Sequence, residues 1–369
     1  MADVEIPKQH KAIIYDEPGK ASVKITEVDT PEPGPGEVLV KLTHSGVCHS
    51  DLSVMKNSWI QTILPHPTQA GQIGGHEGVG TIVKLGIGAE ASGCKLGDRV
   101  GIKWIMSACL TCGAENICDN LKISGYYSPG TFQQYALSPA NYVTPIPEGL
   151  DSATAAPFLC AGVTVYSALK RSNAKAGQFV VIVGAGGGLG HLAVQIASRG
   201  MGLRVIGLDT TLKKDFVLSL GAEQFFDFTA HSQSELISQI HTATRSTSRR
   251  GGSAAEGAHA VLVVSSALAA YESAALMLRK GGTVVAVGVP EGESVGVKNL
   301  GAGIVAGKCL SFVGSAVGNR AEASEVLDMA ARGVVTTKFE VEGMDKLESV
   351  FERMEKGELL GRVVLDLQA

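Results

Sequence analysis

The chain of 369 residues is long enough for about two domains, each burying its own core. Hydrophobic residues make up 45 % and charged ones 18 %, which excludes a disordered or low-complexity polypeptide. The formal net charge is -4 with no basic blocks, which argues against nucleic acid or an anionic membrane as the main partner and leaves small molecules.

The opening stretch MADVEIPKQHKAIIYDEPGK has neither the unbroken apolar core of a secretory signal nor the acid-free, Arg-rich pattern of a transit peptide. No apolar run reaches the ~18 residues of a membrane-spanning helix. A cytoplasmic protein is expected, and its seven cysteines, clustered in part, are read as thiolates for metal rather than disulfides. From residue 11 to 45, apolar and polar positions alternate between Pro/Gly punctuation in KAIIYDEPG, SVKITEV and PEPGPGEVLVKLTHSG. This is the pattern of short antiparallel strands, and it continues in pieces to about residue 145.

Within it, SGVCHSDL sets Cys48 and His49 beside Ser50 and Asp51, and GGHEGVG sets His76 beside Glu77. APFLCAGVTVY adds Cys160 where the strand pattern gives way. Two thiolates and an imidazole leave a tetrahedral zinc one open position, as in a catalytic site. Taken singly, Cys160 also reads as a small buried hydrophobe and His76 as a core histidine. CLTCGAENIC brings three more thiols together, Cys109, Cys112 and Cys118.

After residue 165, short apolar strands (LRVIGLD, EQFFDF, HAVLVVS, GTVVAVGV) alternate with helical stretches, which specifies an α/β fold with a parallel sheet covered on both faces. SALAAYESAALMLRKGG is read as a helix ending just before Gly281, and TATRSTSRRGGSAAEG as a solvent loop. A strand-rich KCLSFVGSAVGNR precedes the last helices and the strand GRVVLDL.

VVIVGAGGGLGHLAVQIA follows a strand and opens a helix, the context of a dinucleotide-binding loop. Gly184 serves the tight turn, Gly187 the approach of backbone to a pyrophosphate, and Gly190 the packing of helix on strand. Asp209, about 20 residues on, is placed to accept from the ribose hydroxyls, which favours NAD over NADP. Gly188, Leu189, Lys213 and Val289 complete the expected cofactor-binding set.

Taken together, GVCHSDL, GGHEGVGTIVKLG, GDRVGIKW, SGYYSPGTFQQYAL, LCAGVTVYSALKRS, GAGGGLGHLAVQIA, VGSAVGNRAE and MEKGELLGRVV resemble, in order and nearly end to end, the zinc-dependent medium-chain alcohol dehydrogenases of the yeast and filamentous-fungal tetrameric type. The resemblance implies a doubly wound Rossmann domain inserted into a chaperonin-10-like β-rich catalytic domain. The expected bounds are 1–164 and 304–369 for the catalytic domain and 165–303 for the NAD-binding domain. It makes Cys48, His76 and Cys160 the catalytic zinc ligands and gives Asp51 the task of orienting the ligand imidazole. Glu77 is implied to approach the metal transiently, and His49 and Arg320 to contact the cofactor pyrophosphate. Ser50 matches the hydroxyl that takes the substrate proton, while Ser53 stands where a relay histidine is usual, so proton exit through water is expected.

The implied reaction interconverts a primary alcohol and its aldehyde, with zinc as Lewis acid and hydride passing to or from NAD(H). Trp104 matches a residue that narrows the pocket, whereas SVMKNSWIQTILPHPTQAGQ, which includes Trp59 and borders it, departs from the yeast sequences. A reductase of a larger aldehyde in specialised metabolism is therefore the alternative within enzymes; a non-catalytic NAD-binding relative is the alternative outside them. The family's second, structural zinc uses four cysteines; here the spacing is C-x2-C-x2-E-x2-C, with Glu115 in the third place and Cys94 or His66 as other fourth donors. One zinc per chain is expected. A homotetramer is implied.

Overall fold

The computed structural model describes residues 5–60, 62–245, 256–291 and 296–369. The chain forms two compact units, one of Met1–Val163, Gly318–Ala331 and Thr337–Ala369, the other of Thr164–Val317 and Arg332–Thr336.

The first unit is built on a seven-stranded sheet. Its order is Phe339–Gly343, Arg362–Asp366, Glu37–Val47, Gly78–Leu85, Arg99–Ile102 and Thr144–Pro145, with Tyr135–Pro139 also paired to Glu37–Val47. The strands Gln9–Tyr15 and Val23–Asp29 form a separate antiparallel hairpin, as the alternating pattern predicts. Register in the large sheet positions the site. Ser45 pairs with Gly78, so the chain just past Val47 and the chain just before Gly78 emerge side by side. Val363 pairs with Val47, which brings the start of the returning strand to the same place. Val38, Val40 and Leu42 are fully buried along the central strand, so apolar packing holds this register.

The second unit is a six-stranded, wholly parallel sheet in the order Gln224–Asp227, Arg204–Asp209, Phe179–Val183, Ala258–Val263, Leu278–Ala286 and Ser311–Gly314. Phe179–Val183 is buried along its whole length, the near-continuous apolar run of a strand covered on both faces. The strand order reverses beside it. That reversal is the topological switch point at which doubly wound sheets bind ligands.

Two sequence expectations are corrected. The helix expected to end just before Gly281 stops at Ala274, and Leu278 already pairs with Ala258 in the next strand. Met277 and Leu278 are buried at 1 % and 3 % exposure, so sheet burial overrides helical pattern there, and Gly281 (φ 76°) turns within an irregular stretch of the strand rather than ending a helix. Ser311–Gly314, placed by sequence in the returning catalytic segment, is the sixth parallel strand, and the second unit runs on to Val317. The apolar SFVG run carries no sign of which sheet it joins. Of the expected solvent loop at 242–257, residues 246–255 lie outside the described residues.

The glycine loop shows why its residues are not equivalent. Gly184 has φ 89°, and a Cβ on Gly190 would stand 2.0 Å from the Gly184 carbonyl oxygen, whereas one on Gly187 would meet nothing nearer than 3.4 Å. Gly190→Ala is therefore expected to destabilise the protein by about 2 kcal/mol through forced backbone separation, and Gly187→Ala to be close to neutral. Thermal midpoints of the two purified variants test this; equal midpoints would refute it.

Candidate active site

Cys48 is the N-cap of the helix His49–Met55, and its backbone N–H donates to Asp51 Oδ2 at 2.9 Å. The other carboxylate oxygen, Oδ1, lies 2.8 Å from His76 Nδ1. One buried side chain thus fixes the turn that carries the first thiol and the plane of the imidazole. With Nδ1–H given to Asp51, the His76 Nε2 lone pair points the other way, and that nitrogen is buried without a hydrogen-bond partner. Cys160 arrives on the short turn after Ala156–Leu159. The donor atoms of Cys48, His76, Glu77 and Cys160 all lie within 4.8 Å of one another, and all four residues are buried.

The electrostatics of this cluster call for a cation. A hydrogen bond from the Cys160 thiol, with smaller help from His76 and Arg362, pulls Cys48 well below the ordinary thiol value against the opposing effect of burial. The same hydrogen bond, together with burial and the neighbouring charges of Cys48 and Glu77, pushes Cys160 well above it. A divalent cation among them would let both sulfurs ionise. Two thiols and an aligned imidazole nitrogen are the protein donor set of a catalytic zinc, so the residues present fit that metal.

Sequence reasoning missed one member of the site. Arg362 opens the returning strand, is 5 % exposed, and donates from Nη2 to Glu77 Oε1. Burial raises the Glu77 carboxyl to about 7 even though Arg362 draws it down. Its second oxygen, Oε2, is buried without a partner, and a Cβ on Gly46 would stand 1.9 Å from it. Glycine at that position is what leaves room for the carboxylate. The one sequence signal for Arg362 is a lone arginine at the head of a buried apolar strand.

The remaining expected residues fall into three groups. Ser50 Oγ lies 3.5 Å from Cys48 Sγ, and His49 Nδ1 lies 3.2 Å from Ser53 Oγ. The Trp104 ring packs edge-on to His76 at 4.7 Å and to Trp59 at 6.4 Å, so the two tryptophans form one wall beside the imidazole. In the second unit, Asp209 closes its strand and accepts from Gly186 N–H at 2.8 Å, with Lys213 Nζ 3.5 Å from its other oxygen. The Lys213 stem lies over Gly186, where an added Cβ would stand 2.7 Å from it. Gly187, Gly188 and Leu189 complete the partly buried loop, and Val289 follows the strand Leu278–Ala286.

In the lobe, Cys109, Cys112 and Cys118 come together, but Glu115 does not join them. Its carboxylate receives Arg320 Nε at 2.9 Å and the Arg320 backbone N–H at 3.2 Å. Arg320, expected at the cofactor pyrophosphate, is thereby engaged in the first unit, where it also donates to the Asn141 carbonyl and covers the Tyr142 ring. The charge pairing explains both placements. Cys94 does not substitute as a fourth donor; its thiol donates to the Ala140 carbonyl oxygen.

Asp51→Asn leaves one acceptor oxygen where two are used, so either the Cys48 turn or the imidazole loses its anchor. Metal retention is expected to weaken by roughly 10–100-fold, read as zinc loss to a competing chelator at fixed pH. Retention equal to the parent would refute the orienting role.

Comparison with known proteins places this geometry. Residues 34–148 match the family of alcohol dehydrogenase GroES-like domains, and residues 188–332 the zinc-binding dehydrogenase family. The chain is 56 % identical to Alcohol dehydrogenase 2 of Emericella nidulans over the full length of both, and 40 % identical to the alcohol dehydrogenase of Schizosaccharomyces pombe over 98 % of each. Among solved structures it is similar to the alcohol dehydrogenase of the archaeon Aeropyrum pernix (TM-score 0.83, 28 % identity, 96 % of this chain and 99 % of that one). It is also similar to an acetophenone reductase of Geotrichum candidum in complex with NAD (TM-score 0.79, 25 % identity, 98 % of each). The chain belongs to the zinc-dependent medium-chain alcohol dehydrogenase family, with a GroES-like catalytic domain and a Rossmann domain.

Proposed function

We propose that the protein interconverts a primary alcohol and its aldehyde by hydride transfer to or from NAD(H), with Cys48, His76 and Cys160 holding the catalytic zinc. The observation that carries this reading is the convergence of two thiols and an orphaned imidazole nitrogen, with Asp51 fixing two of the three. Zinc bound there supplies a Lewis acid that draws electron density from the oxygen of the alcohol or carbonyl. Ser50, beside the donor cluster, is the hydroxyl that takes the substrate proton. Asp51 is a positioning residue. Glu77, one oxygen held by Arg362 and the other unpaired, is the carboxylate positioned to approach the metal site transiently.

In the second unit, the loop Gly184 to Gly190 offers backbone N–H groups to the cofactor pyrophosphate. Asp209, already held by Gly186 and Thr210 N–H groups, presents a fixed negative charge to the ribose hydroxyls and against a 2'-phosphate. The protein is read as a cytoplasmic homotetramer of the fungal type, the assembly being what its motif resemblance implies.

Substrate size separates two forms of the proposal. The Trp59–Trp104 wall favours small primary alcohols, while the divergent 53–72 segment favours a larger aldehyde. NADH-dependent reduction of a graded aldehyde series, with and without a zinc chelator, distinguishes them. Turnover is expected to collapse on zinc removal and to fall as the chain lengthens; a maximum at long or branched aldehydes would assign the larger-aldehyde activity instead, and chelator-resistant turnover would refute the metal.

Ser53 is fully buried and contacts His49. A neutral hydroxyl is not a terminal base near neutral pH, so the proton leaves through water. Ser53→His is expected to accelerate alcohol oxidation several-fold below about pH 8, and an unchanged pH–rate profile would refute this route.

A further inference from the structure

Among the described residues, one other cluster of metal-binding side chains exists, and the reading of the catalytic zinc does not use it. It lies in the lobe between the paired strands Ile105–Ser107 and Lys122–Ile123. Cys109, Cys112 and Cys118 set three free Sγ atoms within 4.8 Å of one another. The turn that gathers them has Leu110 at φ 59° and Gly113 at φ 77°. A branched apolar residue in the left-handed region is uncommon, and its side chain here is exposed, so packing of that side chain does not account for the turn. The sulfurs are furnished with donors: Cys118 accepts from Cys109 N–H and Cys109 accepts from the Thr111 hydroxyl, each at 3.3 Å. Such bonds strengthen when the acceptor is charged.

The fourth ligand is what distinguishes this site. A closed structural zinc site takes four donors. Glu115 is outside the side chains whose donor atoms gather within 4.8 Å; its Oε1 is held by the Arg320 guanidinium and its Oε2 by the Arg320 backbone N–H, and that guanidinium is itself anchored on the Asn141 carbonyl and the Tyr142 ring. Among the described His, Cys, Asp and Glu side chains, the gathered donors are therefore three sulfurs. Thiolates alone, at low coordination number, suit a soft monovalent ion better than zinc. Cys112 is exposed and gives an entry path, while Cys118 is buried and gives a fixed anchor.

We infer that the lobe is a three-thiolate site for a soft, thiophilic cation of the cuprous class, and not the four-ligand zinc site usual at this place in the family. The test uses the whole enzyme with zinc in its catalytic site, titrated anaerobically with cuprous ion against a competing cuprous chelator, with metal content and the near-ultraviolet sulfur-to-copper absorption followed together. One tightly held copper per chain is expected without loss of zinc. Cys112→Ser and Cys118→Ser should each weaken copper binding by at least about tenfold, and Glu115→Gln by less than about twofold. Cys112 is exposed, so its variant remains informative if Cys118→Ser fails to fold. The inference is overturned if the enzyme carries a second zinc that excess cuprous ion does not displace and that Glu115→Gln releases, or if Cys112→Ser binds copper as tightly as the parent.

Discussion

Everything at the active site follows from the difficulty of burying charge. Cys48, Asp51, Glu77 and Cys160 can each become an anion, all are buried, and among the described residues Arg362 is the guanidinium that meets them. Left to themselves, the two thiols share a proton, because a low-dielectric site does not tolerate a second uncompensated negative charge. A divalent cation removes that conflict. The fold therefore supplies more than ligands; it gathers buried acidic groups that a dication lets ionise together.

The sheet makes the arrangement possible at low cost in chain entropy. Register between Glu37–Val47 and Gly78–Leu85 sets Cys48 and His76 together although they are far apart in sequence, and the antiparallel return of Arg362–Asp366 adds the guanidinium. Asp51 then links two of the ligand-bearing segments through its two oxygens. Because every donor atom belongs to the first unit and the dinucleotide loop to the second, metal binding and cofactor binding are built by separate cores.

Much of this was legible in the sequence because local chemistry had local signatures. Cys48 with Asp51 three residues on is a capping arrangement as well as a site motif, and the glycines before GHLAVQ declare a turn and a helix start. What stayed hidden depended on distant partners. Arg362 meets Glu77 across 285 residues, and Arg320 meets Glu115 across 205; no window of sequence contains either pair. The helix carried too far past Ala274 fails for a related reason: LMLRKGG keeps helical propensity, but Leu278 is claimed by pairing with Ala258, which periodicity does not register. The strand Ser311–Gly314 was visible as a strand, yet its sheet was not, since an apolar run is compatible with either unit.

The two arginines point to a common rule. Each thiol cluster is accompanied by a glutamate, Glu77 among the gathered donors and Glu115 outside them, and in each case an arginine from the C-terminal part of the chain takes hold of it. At the active site Arg362 binds one oxygen of Glu77 and leaves the other unpaired, so the carboxylate is restrained without being removed from reach. In the lobe the Arg320 guanidinium holds one oxygen of Glu115 and the Arg320 backbone N–H the other, and the carboxylate stands outside the gathered thiols. A guanidinium matches a carboxylate in shape and charge, so it competes with a metal ion for the same lone pairs. What binds the glutamates thus bears on each cluster's donor set as much as the number of cysteines does: the carboxylate is kept among the donors beside Cys48 and Cys160, and kept apart from Cys109, Cys112 and Cys118.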